Sequence, residues 1–241
     1  MITRRQFGLG CLGLITGLLP LHHSFAAASI GLPDPEPYAQ LWNSSCEIAA
    51  ATLGLRMLGQ PVTEADLIVR LPVDQRLPEL RNGSVVRWGD PNQAFVGTLD
   101  GDLPWNPGVA SPSFSYGVYA EPLARAISEL DPAVTAGTGI TTDRLKAALA
   151  AGRPVVVWLP DQERYRQLPD ASRSGTWTTW DGRSIRFAFR EHTQVLVGYG
   201  PAGYRLANVG YEITHVPFIN VWPDAEFERA FAVLNRMAMI L

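Results

Sequence analysis

The order of its secondary-structure signals constrains this chain most: helix-forming segments come first and strand-forming segments last. Ser45 to Leu58, ended by Gly59, reads as a helix, and Thr63-Glu64-Ala65-Asp66 opens a shorter one that stops before Pro72. Glu121 to Leu130 and Thr142 to Ala151 are further helices, the second ended by Gly152. Runs rich in β-branched and aromatic residues follow: Val155 to Leu159, Thr193 to Tyr199, Tyr204 to Ala207 and Arg236 to Leu241, with one helix from about Asp224 to Phe231 before the last. A parallel doubly wound fold needs strand and helix in alternation, so this segregation predicts an α+β fold with a mostly antiparallel sheet in the C-terminal half. Leu71 to Gly117 is rich in Gly, Pro, Asn and Asp, with Trp88, Phe95, Trp105 and Phe114 interspersed. It reads as one long loop, either pinned by its aromatics or walling a cleft.

The first 28 residues stand outside that fold. Thr3-Arg4-Arg5-Gln6-Phe7 precedes an uncharged apolar run, Gly8 to Leu21, and then Ala26-Ala27-Ala28: the basic start, apolar core and small-residue cleavage site of an export signal. The arginine pair before Phe7 has the twin-arginine form, whose pathway carries folded proteins. The apolar run is short for a bilayer core of about 30 Å, so cleavage is expected rather than anchoring. Residues 29–241 are then expected to form a single domain, periplasmic or secreted, with no stable membrane insertion. With 46% apolar and 18% charged residues the chain has the material for a folded core. Losing Arg4 and Arg5 leaves 18 basic against 23 acidic residues, a net charge of −5. Its one lysine, Lys146, stands among scattered arginines that form no basic block, which excludes a nucleic-acid partner.

Cys11 leaves with the leader, so Cys46 is the only thiol of residues 29–241 and no internal disulfide is possible. A lone thiol in an oxidising compartment is either core filler or a nucleophile. Ser44 and Glu47 have the spacing of a capping box, which starts the helix at Ser45 and puts Cys46 at its second position. There the unpaired N–H groups and the positive end of the helix dipole favour a thiolate.

Export leaves two histidines, His192 and His215. His192 opens the strand-like run Thr193 to Tyr199, 146 residues after Cys46, and a hairpin turning at Pro201-Ala202-Gly203 brings the chain back to Asn208. Asn208 then lies near His192, where its amide oxygen can hold one ring N–H. Gln40, six residues before Cys46, carries an amide that can join the Cys46 N–H as a donor to an oxyanion. One at a time, these three are ordinary structural residues. Together, the order Gln, Cys, His, Asn supplies an oxyanion donor, a nucleophile, a base and the group that orients it.

Gln40 through Ala50, Trp88-Gly89-Asp90-Pro91-Asn92 with Phe95-Val96-Gly97, Gly117-Val118-Tyr119-Ala120, Gly152 to Trp158 and His192 through Tyr199 carry a resemblance. In this order they are similar to the bacterial family 39-like cysteine peptidases, papain-fold relatives of the bacteriocin-processing peptidases that cleave at double glycines. The resemblance spans nearly all of residues 29–241 and implies a papain-like fold, a catalytic Cys46, a base at His192 and an oxyanion glutamine at Gln40. The family often has an acidic residue followed by proline after the histidine strand, where this chain has Asn208-Val209-Gly210. An amide serves there chemically, as in papain.

Other chemistries lack their residues. There is no HExxH, no cysteine or histidine pair at zinc spacing and no GxxxxGK loop, and Asp100-Gly101-Asp102 lacks the later Glu of a calcium loop. Neither metal nor cofactor is expected. The reading is an exported thiol hydrolase that cleaves a peptide bond in a peptide or protein through an acyl-thioester on Cys46. The alternatives are an acyl transferase or amidase using the same thiol, and a catalytically silent module binding peptide or cell-wall fragments.

Overall fold

The structure, a computed structural model, describes residues 29–101, 113–167, 174–214 and 216–241. The expected leader, Trp105 and His215 lie outside the described residues. The helices are α1 (Cys46–Met57), α2 (Glu64–Ile68), α3 (Ala120–Ile127), α4 (Thr142–Ala150), α5 (Gln162–Gln167), α6 (Tyr211–Thr214) and α7 (Asp224–Ala232). Strands run as β1 (Ile30–Gly31), β2 (Val73–Asp74), β3 (Glu79–Arg81), β4 (Ser84–Trp88), β5 (Phe95–Gly97), β6 (Ser115–Gly117) and β7 (Thr135–Gly137). The later strands are β8 (Val155–Pro160), β9 (Ser174–Thr179), β10 (Ser184–Ala188), β11 (Glu191–Gly200), β12 (Gly203–Ala207), β13 (Ile219–Trp222) and β14 (Ala238–Ile240). Among the described residues, no helix is long and apolar enough to cross a membrane.

A seven-stranded sheet runs β13-β12-β11-β8-β14-β7, with β1 added to the far end of β11. Its pairings are all antiparallel, as the segregated order predicts. β8 is buried at every position, because both faces of the sheet are covered by helices. On one face, Val156, Trp158, Val195 and Val197 pack with α1 and α3 residues such as Leu55, Ile48 and Leu123. On the other, Val155, Val157, Leu159 and Leu196 pack with Leu145 and Leu149 of α4 and Phe227 and Phe231 of α7. Trp158 is completely buried in this arrangement, and truncating a side chain of that size to alanine costs about 3–5 kcal/mol. The alanine-rich start of α1, Ala49-Ala50-Ala51, lets the helix lie close on the sheet, and Gly54 leaves space that the Leu241 side chain enters.

The stretch from Leu71 to Gly117 is not the long loop its composition predicts. Where described, it holds five short strands: β2, β5 and β6 make one small sheet, and β3 and β4 join β9 and β10 in a four-stranded one. The turn residues punctuate strands too short to show alternation. Asn82 and Gly83, with φ of 51° and 75°, form the tight turn between β3 and β4, an Asn-Gly hairpin signal present in the sequence. Trp88 and Trp177 pack at 5.8 Å across the β4–β9 pairing, so the aromatics of this stretch serve as core.

Candidate active site

Two chain segments build the site: the entry to α1 and the start of β11. Ser45 is the N-cap of α1, but its hydroxyl faces Trp42 rather than the helix, accepting the Trp42 N–H at 3.3 Å. Cys46 is therefore the first helical residue, not the second, and the expected capping box does not form. Glu47 turns inward instead. Its Oε1 accepts the Val118 N–H at 3.0 Å and its Oε2 the Cys46 thiol at 3.4 Å. The cause lies at the end of β6, where the chain leaves the small sheet and the buried Val118 N–H needs an acceptor. Gly117, at φ +119°, makes room, since a Cβ there would overlap the Glu47 carboxylate.

The thiol's surroundings overturn the expected thiolate. Burial pushes the Cys46 thiol well above its ordinary value, and the Glu47 and Glu191 carboxylates push it further. The Thr193 main-chain N–H pulls the other way without prevailing. Glu47 is itself pushed up to about 7 by burial, against the pull of its own and the Val118 N–H groups. Glu191 rises by burial and by the Glu47 charge beside it. One donor atom from each of Cys46, Glu47 and Glu191 lies within 4.8 Å of the others, a set that suits a divalent cation in kind. Each already has a protein partner, since Glu191 accepts the Thr193 hydroxyl at 2.9 Å while Cys46 and Glu47 bond each other.

On the histidine side the expected pair is present. β11 and β12 form the hairpin, with Val195 opposite Ala207, and His192 Nε2 lies 2.6 Å from Asn208 Oδ1. The Asn208 amide is oriented by its other bonds: Nδ2 donates to the Val216 carbonyl at 3.0 Å, and Oδ1 accepts the Gly210 N–H at 2.9 Å. Oδ1 is thus an acceptor, His192 Nε2 carries a proton, and Nδ1 is left for chemistry. Burial lowers the proton affinity of the imidazole, while Asn208 and the nearby Asp161 carboxylate oppose that fall. Gly210 permits the approach, because a Cβ there would sit 2.6 Å from His192 Cε1 and 3.1 Å from Gln40 Oε1.

Gln40 thus lies beside His192 at Gly210, and the amide expected to join the Cys46 N–H as an oxyanion donor is engaged elsewhere. Its Nε2 donates to the Trp42 and Asn43 carbonyls at 2.7 and 3.0 Å, and its main-chain N–H donates to Val209 at 2.8 Å. The next N–H, of Leu41, is held by the fully buried Glu64, which also accepts the Tyr38 hydroxyl, each at 3.0 Å. The structure thus brings Gln40, His192 and Asn208 together around Gly210, while the Cys46 thiol sits with Glu47, Glu191 and the Thr193 N–H. Consecutive residues of β11 join the two groups. Glu47, Glu191 and Glu64 escaped the sequence reading. Glu47 was visible only as a cap, and nothing local marks the other two as buried.

The family model for the Peptidase_C39 like family matches residues 34–209, a span that begins ahead of Gln40 and ends just past Asn208. A crystal structure from Bacillus anthracis, assigned as a C39-like peptidase, matches with a TM-score of 0.70 over 88% of this chain and 96% of that one. At 22% identity, that likeness shows a shared fold. No curated protein matches the chain. With the helix-borne cysteine and the histidine strand lying inside the matched span, this chain belongs to the Peptidase_C39 like family.

Proposed function

We propose that this protein is a thiol hydrolase that cleaves peptide bonds, exported by its N-terminal leader to act in the periplasm or outside the cell. The observation that carries the reading is the buried His192–Asn208 pair, 2.6 Å apart, on the strand whose next residue, Thr193, directs its N–H at the Cys46 sulfur. An imidazole whose far nitrogen is held by an amide is prepared to exchange protons through the near one. Cys46 attacks the substrate carbonyl and loses its thiol proton as the C–S bond forms, giving a tetrahedral intermediate. The Cys46 N–H stabilises the oxyanion, joined by Gln40 once its amide turns from the Trp42 and Asn43 carbonyls. His192 protonates the departing amine, and then takes a proton from the water that hydrolyses the acyl-thioester. The substrate is a peptide or protein.

The competing reading is a peptide-binding module of the same fold without turnover, and the protonated Cys46 thiol favours it. Turnover of a quenched-fluorescent peptide library by residues 29–241 separates the two. Cys46→Ala is expected to lower any cleavage by more than about a thousandfold while leaving the circular dichroism unchanged. Cleavage that survives Cys46→Ala, or its absence from the unaltered protein across the library, removes the hydrolase reading.

A further inference from the structure

Gln40 lies in the stretch between β1 and α1, which has no helix or strand of its own, so contacts with other parts of the fold must set its shape. Two consecutive N–H groups are held from different sides: that of Gln40 by the Val209 carbonyl at 2.8 Å, next to Asn208, and that of Leu41 by Glu64 Oε1 at 3.0 Å. The same oxygen accepts the Tyr38 hydroxyl at 3.0 Å. One carboxylate thus grips the chain on both sides of Gln40.

Glu64 does not serve its own helix. Thr63 and Asp66 already cap α2 reciprocally, with the Thr63 N–H on Asp66 Oδ2 at 2.8 Å and the Asp66 N–H on Thr63 Oγ1 at 3.3 Å. The Glu64 side chain turns inward, and the residue is 0% exposed. Burying a carboxylate costs free energy, so a glutamate holds such a place only where donors meet it. Burial raises the Glu64 carboxyl, while the Ser45 hydroxyl, the Leu41 N–H and the Tyr38 hydroxyl, in that order, favour the anion, with Arg56 adding to them. Arg56 closes the clamp from α1: its guanidinium lies 4.8 Å over the Tyr38 ring, and its Nε donates to the Val62 carbonyl, just ahead of α2, at 2.7 Å.

We propose that Glu64 is a positioning residue for the oxyanion site: it fixes the main chain of Gln40, so that only the side chain has to turn for the amide to reach the oxyanion. This rests on the hydrolase reading above and deepens it. Glu64 is too deeply buried to meet a substrate and acts through Gln40. The sulfur is left alone, because α1 is seated by its own packing on the sheet.

The test is a double-mutant cycle between Glu64 and Gln40, read on peptide turnover. Glu64→Ala is expected to lower kcat about thirtyfold with KM within about twofold, and Gln40→Ala to lower kcat about a hundredfold. The double variant should lose no more than about threefold beyond Gln40→Ala, since the clamp then has no amide to place. Losses that multiply, to about three thousandfold, overturn the proposal and leave Glu64 a residue of stability alone. Glu64→Gln, whose amide oxygen can accept from both Tyr38 and Leu41, should keep turnover within about threefold of wild type; a loss as deep as that of Glu64→Ala overturns the proposal too. Should Glu64→Ala not fold, Tyr38→Phe carries the same cycle: a loss of about threefold is expected with Gln40 present and none in Gln40→Ala, and equal losses in both overturn it. Iodoacetamide labelling of Cys46 against pH, read by intact mass, should stay within about twofold in every folded variant, because alkylation builds no oxyanion; labelling that falls with turnover overturns it. If the unaltered protein cleaves no peptide, the hydrolase reading fails by itself, and the cycle is read on affinity for a peptide aldehyde, whose addition to Cys46 puts an oxygen in the same place. Coupling there upholds the role of Glu64, whereas additivity, or no adduct, overturns it.

Discussion

The two sides of the site solve opposite electrostatic problems. His192 is held by a neutral amide whose every polar atom is committed to a main-chain group or to the ring, so its orientation is set with no charge placed against it. Cys46 is held by carboxylates on both sides, Glu47 and Glu191, that favour the protonated thiol over the thiolate. The resting site is therefore a neutral thiol beside a neutral imidazole, not the preformed ion pair that a helix N-terminus alone suggests. A helix end contributes about 0.3–1 kcal/mol toward an anion, and burial with two acidic neighbours outweighs it.

If the two sides are separate, a change on one should leave the other intact. The largest effect is expected for Asn208→Ala, which frees the ring and orphans the buried Gly210 N–H. Turnover should fall about a hundredfold, and stability by about 1–3 kcal/mol in urea denaturation, while Cys46 labelling in the folded protein stays within about twofold. A fall in labelling that matches the fall in turnover would break the separation. Glu191→Gln should act in the opposite sense and only on the thiol. Removing a carboxylate that pushes the thiol up should move the labelling curve to lower pH by about one unit, or about tenfold in rate below the midpoint. A curve that does not move means Glu191 is without charge throughout that range.

The smallest effect concerns stability. Glu47 binds its proton more tightly when folded, titrating at about 7 against the ordinary 4.5, so between those values the folded state carries more proton than the unfolded one. Its contribution is then largest below about pH 4.5 and is lost as the pH rises through about 7. Melting curves should show Tm falling by several degrees more across that window in wild type than in Glu47→Gln. Equal slopes would place the Glu47 titration elsewhere.

What the sequence made legible follows the same division. The closeness of His192 and Asn208, and the place of Cys46 at the start of a helix, could be read from order and spacing, because a helix start and a hairpin leave marks in local pattern. The long strands β8, β11 and β12 were legible for the same reason. Glu47 was not, since the signature that makes a glutamate a cap does not say which way its side chain turns; the Val118 N–H, just past β6 and 71 residues away, decides that. Glu191 could not be found either, as its neighbour across the site comes from α1. The strands between Leu71 and Gly117 were hidden by length, because runs of two to five residues give no periodicity. Only Asn82-Gly83 announced one of them.

The close seat of His192 against Gly210 has a spectroscopic consequence. A ring packed on a backbone that has no side chain, with Nε2 bonded to Asn208 and 6% of the residue exposed, cannot readily turn over or exchange its proton with solvent. Its Nε2–H should appear in a proton NMR spectrum as a separate resonance, far downfield of the amides and slow to exchange. Following that line as an amide substrate analogue is added would report the charge on the imidazole directly. The molecule carries its own internal indicator of where the proton rests.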